Sequence, residues 1–242
     1  MWCCLVGSEM CIRDRYEYSG RALVFGASGG IGQAFSRFLE DKLGSENVVN
    51  VSRSFDGFEI SDEEKILKFS ESIEGTFNLI INATGVLQTT EEGPEKTINV
   101  VKQKSMIDMM TINAIGPALL LKNFSKKLDK TKFSVFVNLS ARVGSITDNR
   151  LGGWISYRSS KAALNQIIKT SSIEINRRNK NAICVGLHPG TVKTKFTEKF
   201  QNTTKTISPK ESVEMMMKVV ENLSVDDNCL LYTSPSPRDN TT

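Results

Sequence analysis

The sequence predicts a single α/β domain in which helices cover both faces of a doubly wound parallel sheet. Short apolar runs of strand length alternate along the chain with longer segments of helical period. The apolar runs, such as LIIN and VFVNL, show little alternation with polar residues, which suits strands buried on both faces. No internal repeat, linker or break in composition divides the chain. One domain is therefore the simplest interpretation.

The apolar runs mark five predicted strands, which are rich in Val, Ile, Leu and Phe. They lie at residues 22–25, 47–51, 79–81, 133–139 and 182–187. Segments in which apolar residues recur every three or four positions predict amphipathic helices. They lie at residues 31–43, 63–73, 105–128, 156–178 and 209–223. The opening order of strand, helix, strand, helix, strand is typical of a parallel sheet with helical crossovers.

The overall composition is that of an ordinary globular domain. The 242 residues include 39% hydrophobic and 24% charged residues, which argues against disorder and against a coiled coil. No apolar run approaches the roughly 20 residues that a membrane-spanning helix needs, so we expect no membrane partner. The net charge of +4 comes from scattered basic residues, so we also expect no nucleic acid partner.

The two ends of the chain carry a separate signal. Residues 5–15 are LVGSEMCIRDR, and residues 229–239 are CLLYTSPSPRD. One DNA element, translated on opposite strands, encodes both segments, and it resembles a transposon-type sequencing adapter. We therefore expect residues 1–15 and 229–242 to be foreign to the native protein, and residues 16–228 to form its one domain.

The cysteines and the histidine limit the chemistry of that domain. Cys184 is the only cysteine outside the terminal segments, so it has no partner for a disulfide. This indicates a reducing compartment, and we expect a cytoplasmic protein. His188 is the only histidine in the chain, so we expect no metal site and assign this residue no chemistry.

A glycine-rich segment, GASGGIG, directly follows the first predicted strand and precedes the first predicted helix. One glycine of such a turn can take a positive φ, a second lets the backbone approach a pyrophosphate, and a third lets helix and strand pack closely. A turn that only joins strand to helix is the alternative. The position predicts a Rossmann-type dinucleotide site with these cofactor contacts: Gly26, Ser28, Gly29, Gly30, Ile31 and Gly32.

Two further segments follow strands that would end beside this turn. After the second strand, Arg53 stands where an acidic residue would bind the ribose hydroxyls, which favours a 2′-phosphate and thus NADP over NAD. An exposed loop arginine is the alternative. NATG follows the third strand, where Asn82 could instead cap the local turn. The predicted cofactor contacts in this segment are Asn82, Ala83, Thr84 and Gly85.

Tyr157 and Lys161 stand four residues apart at the start of a predicted helix, so their side chains share one helical face. A nearby positive charge lowers the pKa of a tyrosine from its ordinary value of about 10. Tyr157 is therefore a candidate general acid or base. Ser140 follows the strand at residues 133–139, and Asn113 lies in the long helix before a Gly-Pro pair. We predict these four residues as the catalytic set.

Six sequence landmarks stand in one order: GASGGIG, NATG, Asn113 before GP, NLSARVGS, YRSSK and HPGTVKT. Together they resemble the short-chain dehydrogenase/reductase family. The segment before Tyr157 is most similar to the branch that includes C-factor-type signalling proteins and their carbonyl-reductase-like relatives. The resemblance covers roughly residues 20–225, nearly all of the expected domain.

The resemblance implies a role for each catalytic candidate. Tyr157 would exchange a proton with the substrate oxygen, and Ser140 would hydrogen-bond the same oxygen. Lys161 would hold the nicotinamide ribose and lower the pKa of Tyr157. Asn113 would position Lys161 through an ordered water and a kink in its helix. The HPGTVKT segment would contact the nicotinamide and the pyrophosphate through these residues: Pro189, Gly190, Thr191, Val192 and Thr194.

The chain departs from the family pattern in three places. Phe25 stands where the family usually has a threonine before the first glycine. The interval between Ser140 and Tyr157 is long, and residues 149–154 would form a loop that shapes the substrate mouth. We expect the family's last edge strand to be missing, and residues 230–233 are apolar enough to take its place with poor packing.

The resemblance implies an NADP-dependent oxidoreductase that acts on a small-molecule carbonyl or secondary alcohol. Family members commonly pair through the two long helices, so we expect a homodimer or a homotetramer. The alternative is a nucleotide-bound, C-factor-like signalling protein whose output does not require turnover. A dehydratase or epimerase is a weaker hypothesis, because the larger members of that kind carry an added substrate domain.

Overall fold

A computed structural model of the chain describes residues 16–89, 93–200, 206–228 and 231–233. The strands in these ranges are β1 (Ala22–Phe25), β2 (Val48–Val51), β3 (Leu79–Asn82), β4 (Ser134–Leu139), β5 (Ala182–His188) and β6 (Leu231–Thr233). The α-helices are α1 (Gly30–Leu43), α2 (Arg53–Asp56), α3 (Glu63–Ser72), α4 (Gln103–Met110), α5 (Gly116–Phe124), α6 (Ile155–Arg178) and α7 (Pro209–Glu221). Apart from α2, all of them follow the predicted order.

The described strands form one parallel sheet in the order β2-β1-β3-β4-β5-β6. The strand order reverses between β1 and β3, which makes the sheet doubly wound and confirms the predicted Rossmann-type fold. Phe25 at the end of β1 pairs with Val51 of β2 and with Asn82 of β3. The carboxyl ends of these strands therefore lie side by side, where ligands bind in such folds.

Each strand supplies side chains to two cores, because successive residues point to opposite faces of a sheet. Val24 of β1 packs with α1 and α7, whereas its neighbours Leu23 and Phe25 pack with α3, α5 and α6. Residues of β3 and β4 alternate in the same way. The uninterrupted apolar runs of the sequence are thus explained by burial on both faces.

The predicted helix at residues 105–128 is not one regular α-helix. It is divided into α4, a π-helical segment at Thr111–Ile115, and α5, with a final 3₁₀ turn at Ser125–Lys127. Apolar periodicity does not reveal this division, since the π segment interrupts the α-helical pattern for a single turn only. The bounds of the other predicted elements agree with the structure to within two residues at each end.

The edge of the sheet beside β5 is occupied by the segment that the sequence analysis places there. Leu231–Thr233 pairs in parallel with residues 186–188, and the absence of the family's own last strand stays a prediction. The described sheet therefore has six strands. The packing of those side chains lies outside the described residues, as do residues 1–15, 229–230 and 234–242, so the adapter origin of the two ends stays a prediction.

Two features of the described residues concern membrane-spanning helices and disulfide bonds. None of the helices in these ranges is both long enough and apolar enough to cross a membrane. Cys184 is buried in β5 and forms no disulfide there.

Candidate active site

A cleft runs along the carboxyl edge of the sheet and consists of two adjoining cavities of about 190 and 500 Å³. The smaller cavity extends toward the end of β2, and the larger one extends toward β5 and the start of α6. Residues of two segments, the glycine turn and the loop after β3, line both cavities: Ser28, Gly29, Ala83, Thr84 and Gly85. The two cavities are therefore parts of one site.

The glycine turn has the geometry of a phosphate cradle. Gly26 has a φ of +79°, and its N–H donates to Val51 O over 2.9 Å. A Cβ atom on Gly32 would lie 2.0 Å from Gly26 O, so only glycine allows this approach of α1 to the turn. Gly29 caps α1 without a side-chain hydrogen bond. The first N–H groups of α1 are consequently available to an anion at the positive end of the helix dipole.

Thr194 lies against the opposite side of this turn. A Cβ atom on Gly30 would lie 2.6 Å from Thr194 Cγ2, which places the threonine beside the start of α1. Both residues line the larger cavity. The predicted proximity of Thr194 to a bound pyrophosphate is consistent with this position.

The smaller cavity contains Arg53 together with a carboxylate that the sequence analysis missed. Arg53 Nη1 lies 3.8 Å from Glu59 Oε2, and the arginine side chain is 77% exposed. Phe58 and Ile60 also line this cavity. Glu59 stands beyond the short helix α2, and no sequence pattern connects it with the end of β2. Only the folding back of the α2–α3 connection brings it to the site.

Tyr157 lies in the first turn of α6 and is buried, with its ring between two other aromatic rings. The ring centroids of Trp154 and Phe196 each lie 6.3 Å from that of Tyr157, in edge-to-face orientations. Lys161 follows on the same helical face, and its Nζ lies 5.9 Å from the centroid of the Tyr157 ring. The same Nζ donates to Leu139 O at the end of β4 over 2.9 Å.

Burial dominates the titration of both groups. It raises the pKa of Tyr157 above its ordinary value of 10.0, and it lowers the pKa of Lys161 from 10.5 to about 8. Desolvation of the phenolate is the cause that acts on the tyrosine in this structure. Tyr157 is therefore a protonated phenol at neutral pH. A lowering of the Tyr157 pKa by Lys161, which the resemblance implies, stays a prediction.

Ser140 stands directly after β4 and lines the larger cavity with Tyr157 and Lys161. Its Oγ donates to Asn165 Oδ1 over 2.5 Å. Asn165 lies one helical turn after Lys161 on α6, so the helix that carries the tyrosine also holds the serine. The sequence analysis missed Asn165, although its spacing of four residues from Lys161 is a helical-face signal.

Asn113 and Asn82 do not line either cavity, but their side chains hold the loop after β3 by hydrogen bonds. Asn113 lies in the π-helical segment, with its Oδ1 accepting from Val86 N and its Nδ2 donating to Val86 O, both over 2.8 Å. It approaches Lys161 across Gly85, where a Cβ atom would lie 3.3 Å from Asn113 Oδ1 and 3.7 Å from Lys161 Nζ. The irregular helix geometry predicted for Asn113 is present. A water between Asn113 and Lys161 stays a prediction.

Asn82 ends β3 with its side chain buried. Its Oδ1 accepts from Thr84 N over 3.1 Å and from Thr84 Oγ1 over 2.6 Å. Its Nδ2 donates to Asn138 Oδ1 of β4 over 3.0 Å. These bonds support the alternative in which Asn82 caps the turn after β3, and so shapes the loop that lines the cleft.

All but one of the remaining predicted cofactor contacts line the larger cavity. The larger cavity is lined by Gly30, Ile31, Gly32, Pro189, Gly190, Val192 and Thr194, whereas Thr191 does not line it. His188, to which we assign no chemistry, also lines this cavity. Burial lowers its pKa to about 4, so the imidazole is neutral at pH 7.

The fold and the cleft define a Rossmann-type nucleotide-binding protein of the doubly wound class. The sequence profile described as short chain dehydrogenase matches residues 21–205. The chain therefore belongs to the short-chain dehydrogenase/reductase family, whose members bind nicotinamide cofactors and act on small molecules.

Individual relatives agree with this assignment. An uncharacterised oxidoreductase of Schizosaccharomyces pombe is 31% identical over 188 residues, 71% of this chain and 70% of that protein. The C-signal of Myxococcus xanthus is 29% identical over 150 residues, 62% of this chain and 84% of that protein. The NADPH-bound carbonyl reductase from chicken fatty liver is 27% identical, with a TM-score of 0.76 and coverage of 91% of this chain and 93% of that chain. The predicted resemblance to the C-factor and carbonyl-reductase branch is confirmed.

Proposed function

We propose that the chain is an NADP-dependent oxidoreductase that interconverts a carbonyl and a secondary alcohol, with Tyr157 as the general acid/base. The observation that carries this proposal is that Tyr157, Ser140 and Lys161 line the same cavity as the glycine turn. A protein that only binds a nucleotide has no need of a buried phenol at that place. The signalling alternative is not favoured by the relatives found.

The residues of the cleft fit a nicotinamide dinucleotide. The glycine turn and the start of α1 would hold the pyrophosphate, and the segment from Pro189 to Thr194 would lie along the nicotinamide half. Lys161 would hold the ribose between them. The bound cofactor would supply the hydride of the reduction.

The side chains of the chain itself would handle the proton. In the direction of reduction, the Tyr157 hydroxyl donates its proton to the carbonyl oxygen, which gains negative charge as the carbon is reduced. The raised pKa of Tyr157 keeps this proton available at neutral pH. Phe196, which lines the larger cavity beside the phenol, favours an apolar substituent on the substrate next to the reacting carbon.

Ser140 would stabilise the same oxygen, but it has a single proton. Its hydroxyl donates to Asn165 Oδ1, so its proton must turn toward the substrate when a carbonyl binds. Rotation of the Asn165 amide, which would place Nδ2 beside Ser140 Oγ, makes that turn possible without the loss of a hydrogen bond. Asn165 is thus proposed as the residue that positions Ser140.

The preference for NADP rests on Arg53. An exposed guanidinium at the end of β2 can bind a 2′-phosphate, whereas Glu59 in the same cavity would repel it unless Arg53 lies between them. If Arg53 does not take this part, Glu59 is placed to accept hydrogen bonds from the free ribose hydroxyls of NAD.

Titration of NADPH and of NADH into the chain, followed by nicotinamide fluorescence, tests this choice. We expect tighter binding of NADPH, and an approximately tenfold loss of NADPH affinity in Arg53→Ala with NADH affinity unchanged. Arg177→Ala, an exposed arginine in the last turn of α6, is the matched control and should leave both affinities unchanged. Tighter binding of NADH would assign the ribose to Glu59 and overturn the NADP preference.

We also propose that the chain forms a homodimer or a homotetramer through the helices that carry Asn113 and Tyr157. Three isoleucines on these helices, Ile107, Ile115 and Ile173, are 54%, 51% and 44% exposed, so their burial against a second copy would stabilise an oligomer. Sedimentation velocity tests this proposal, and a monomer at all concentrations contradicts it.

A further inference from the structure

Helix α6 begins without the polar residue that normally caps a helix. Its N-cap position is Trp154, whose side chain makes no capping hydrogen bond. Helices strongly prefer Ser, Thr, Asp or Asn there, because a side-chain oxygen must accept from one of the first free N–H groups. The cap matters in this helix, since Tyr157 lies in its first turn.

A glutamate from a distant loop supplies the missing acceptor. Glu95 lies between β3 and α4, 61 residues before Ser156 in the sequence. Its Oε2 accepts from Ser156 N, the second residue of α6, over 3.3 Å, and its Oε1 accepts from the Ser156 hydroxyl. Ser156 is fully buried. One carboxylate thus satisfies a helix N–H and a buried hydroxyl at the positive end of the helix dipole.

The main chain of Glu95 holds the residue before the helix as well. Trp154 has a φ of 53° and a ψ of 41°, the only non-glycine residue in the described ranges with a positive φ. This left-handed conformation costs about 1 kcal/mol or more for a residue with a Cβ. The Trp154 N–H donates to Glu95 O over 2.5 Å, and so offsets this cost. The Trp154 ring in turn packs against the ring of Tyr157.

We propose that Glu95 is a positioning residue for catalysis, which caps α6 from outside the helix and so holds the phenol of Tyr157 in the cleft. This inference rests on the proposed function of Tyr157. Glu95 is not among the cavity-lining residues, and it acts through Ser156 and Trp154. Lys161 lies a turn further along α6 and is tied to Leu139 O, so the loss of the cap should affect the tyrosine more than the lysine.

The test compares Glu95→Ala and Glu95→Gln with Glu71→Ala, an exposed glutamate on α3. Reduction of an apolar aromatic ketone, NADPH affinity and backbone amide exchange are measured on the full chain. We expect Glu95→Ala to lower kcat about tenfold, the order that a displacement of the reacting group by a fraction of an ångström produces. NADPH affinity should change less than about twofold. Glu95→Gln keeps one oxygen acceptor and should restore part of the loss.

Amide exchange provides a readout that does not depend on turnover. In Glu95→Ala, exchange should accelerate at residues 155–157 and stay at the wild-type rate in the second half of α6. Ser156→Ala, which removes only the hydroxyl contact, should give a smaller effect of the same kind. This variant keeps the test decisive if Glu95→Ala does not fold.

Two results would overturn the inference: wild-type kcat together with wild-type exchange in both Glu95 variants, or accelerated exchange along the whole of α6 with a matching loss of NADPH affinity. If the wild-type chain has no turnover with any carbonyl, the proposed function fails. In that case the exchange at residues 155–157 still decides whether Glu95 caps the helix.

Discussion

Tyr157 lies close to one lysine and between two aromatic rings. The Lys161 ammonium lies close to its ring, but that ammonium is directed at the carbonyl of Leu139. Burial between Trp154 and Phe196 withdraws the phenol from water, and this raises its pKa. A phenol held in the protonated form can act as a general acid at neutral pH, which is the role that the proposed reduction requires.

Substitution of Tyr157 by Phe tests the acid/base role. We expect turnover to fall by about 10²-fold or more, because the proton donor is lost. Cofactor affinity should stay nearly unchanged, because the ring and its packing remain. The measurements are steady-state kinetics and an NADPH titration.

Tyr18→Phe is the matched control for this variant. The Tyr18 hydroxyl donates to Glu221 over 2.6 Å, among α1 and α7 and outside both cavities of the cleft. Its removal should lower stability slightly and leave kcat at the wild-type value. Retained turnover in Tyr157→Phe would show that another group transfers the proton.

The raised pKa of Tyr157 also predicts the pH dependence of both directions. From pH 6 to pH 7.5 the phenol stays protonated and Lys161, with its pKa near 8, stays largely charged. The kcat of reduction should therefore be flat over this range. The kcat of alcohol oxidation requires the phenolate, whose fraction grows about tenfold per pH unit below the pKa, and so it should rise.

Initial rates in both directions, with one ketone and its alcohol, check this dependence. A reduction rate that declines across pH 7 would mean that the working pKa of Tyr157 is lowered, as the family resemblance implies, and not raised.

At the scale of elements, α1 positions the glycine turn, and α6 positions the candidate catalytic side chains. Gly26 and Gly32 allow the first turn of α1 to approach the end of β1 closely, and this contact forms the turn that is proposed to hold the pyrophosphate. Helix α6 carries Tyr157, Lys161 and Asn165 at intervals of four residues. The phenol, the ammonium and the hydrogen-bond partner of Ser140 therefore lie on one face of the same helix. These spacings are visible in the sequence.

Gly32→Ala tests the packing of α1 on its turn. A methyl group there would lie 2.0 Å from Gly26 O, and backbone atoms cannot move aside as a flexible side chain can. We expect a loss of about 1–3 kcal/mol in the free energy of unfolding, measured with urea, and a large loss of NADPH affinity.

Gly44→Ala, at the other end of α1, serves as its control. Gly44 has a φ of +84°, and the nearest atoms to an added Cβ belong to the flexible side chain of Glu46. This variant should lose stability from backbone strain while NADPH affinity stays at the wild-type value. Equal affinity losses in both variants would contradict the assignment of the turn to the pyrophosphate.

At the scale of the whole molecule, the two cores explain why Phe25 replaces the threonine that the family usually has before the glycine turn. Phe25 takes the place of a threonine that would bond within the turn, yet its side chain points away from the turn into the core between the sheet and α3, α5 and α6. Its ring contacts those of Phe58, Phe69 and Phe124 at centroid distances of 5.4, 6.3 and 4.9 Å. The residue therefore stabilises one layer of the fold.

The parallel sheet also brings the site together from segments that are far apart in the chain. Turns after β1, β3, β4 and β5 all reach one edge, because every strand in the described sheet points the same way. The glycine turn and Lys161 thus meet in one cavity although more than a hundred residues separate them. The order of the motifs in the sequence predicted that these residues share a site. The parallel arrangement of the strands is the physical reason that they do.

The sequence by itself determined the fold class, nearly all element bounds, the glycine turn, and the pair Tyr157 and Lys161. These features depend on local periodicity and spacing, which one segment carries alone. Only the tertiary structure decided the contacts of Glu59 with Arg53, of Asn165 with Ser140, and of Glu95 with Ser156. It also decided the direction of the pKa of Tyr157, because burial of the phenol depends on neighbours that are distant in sequence.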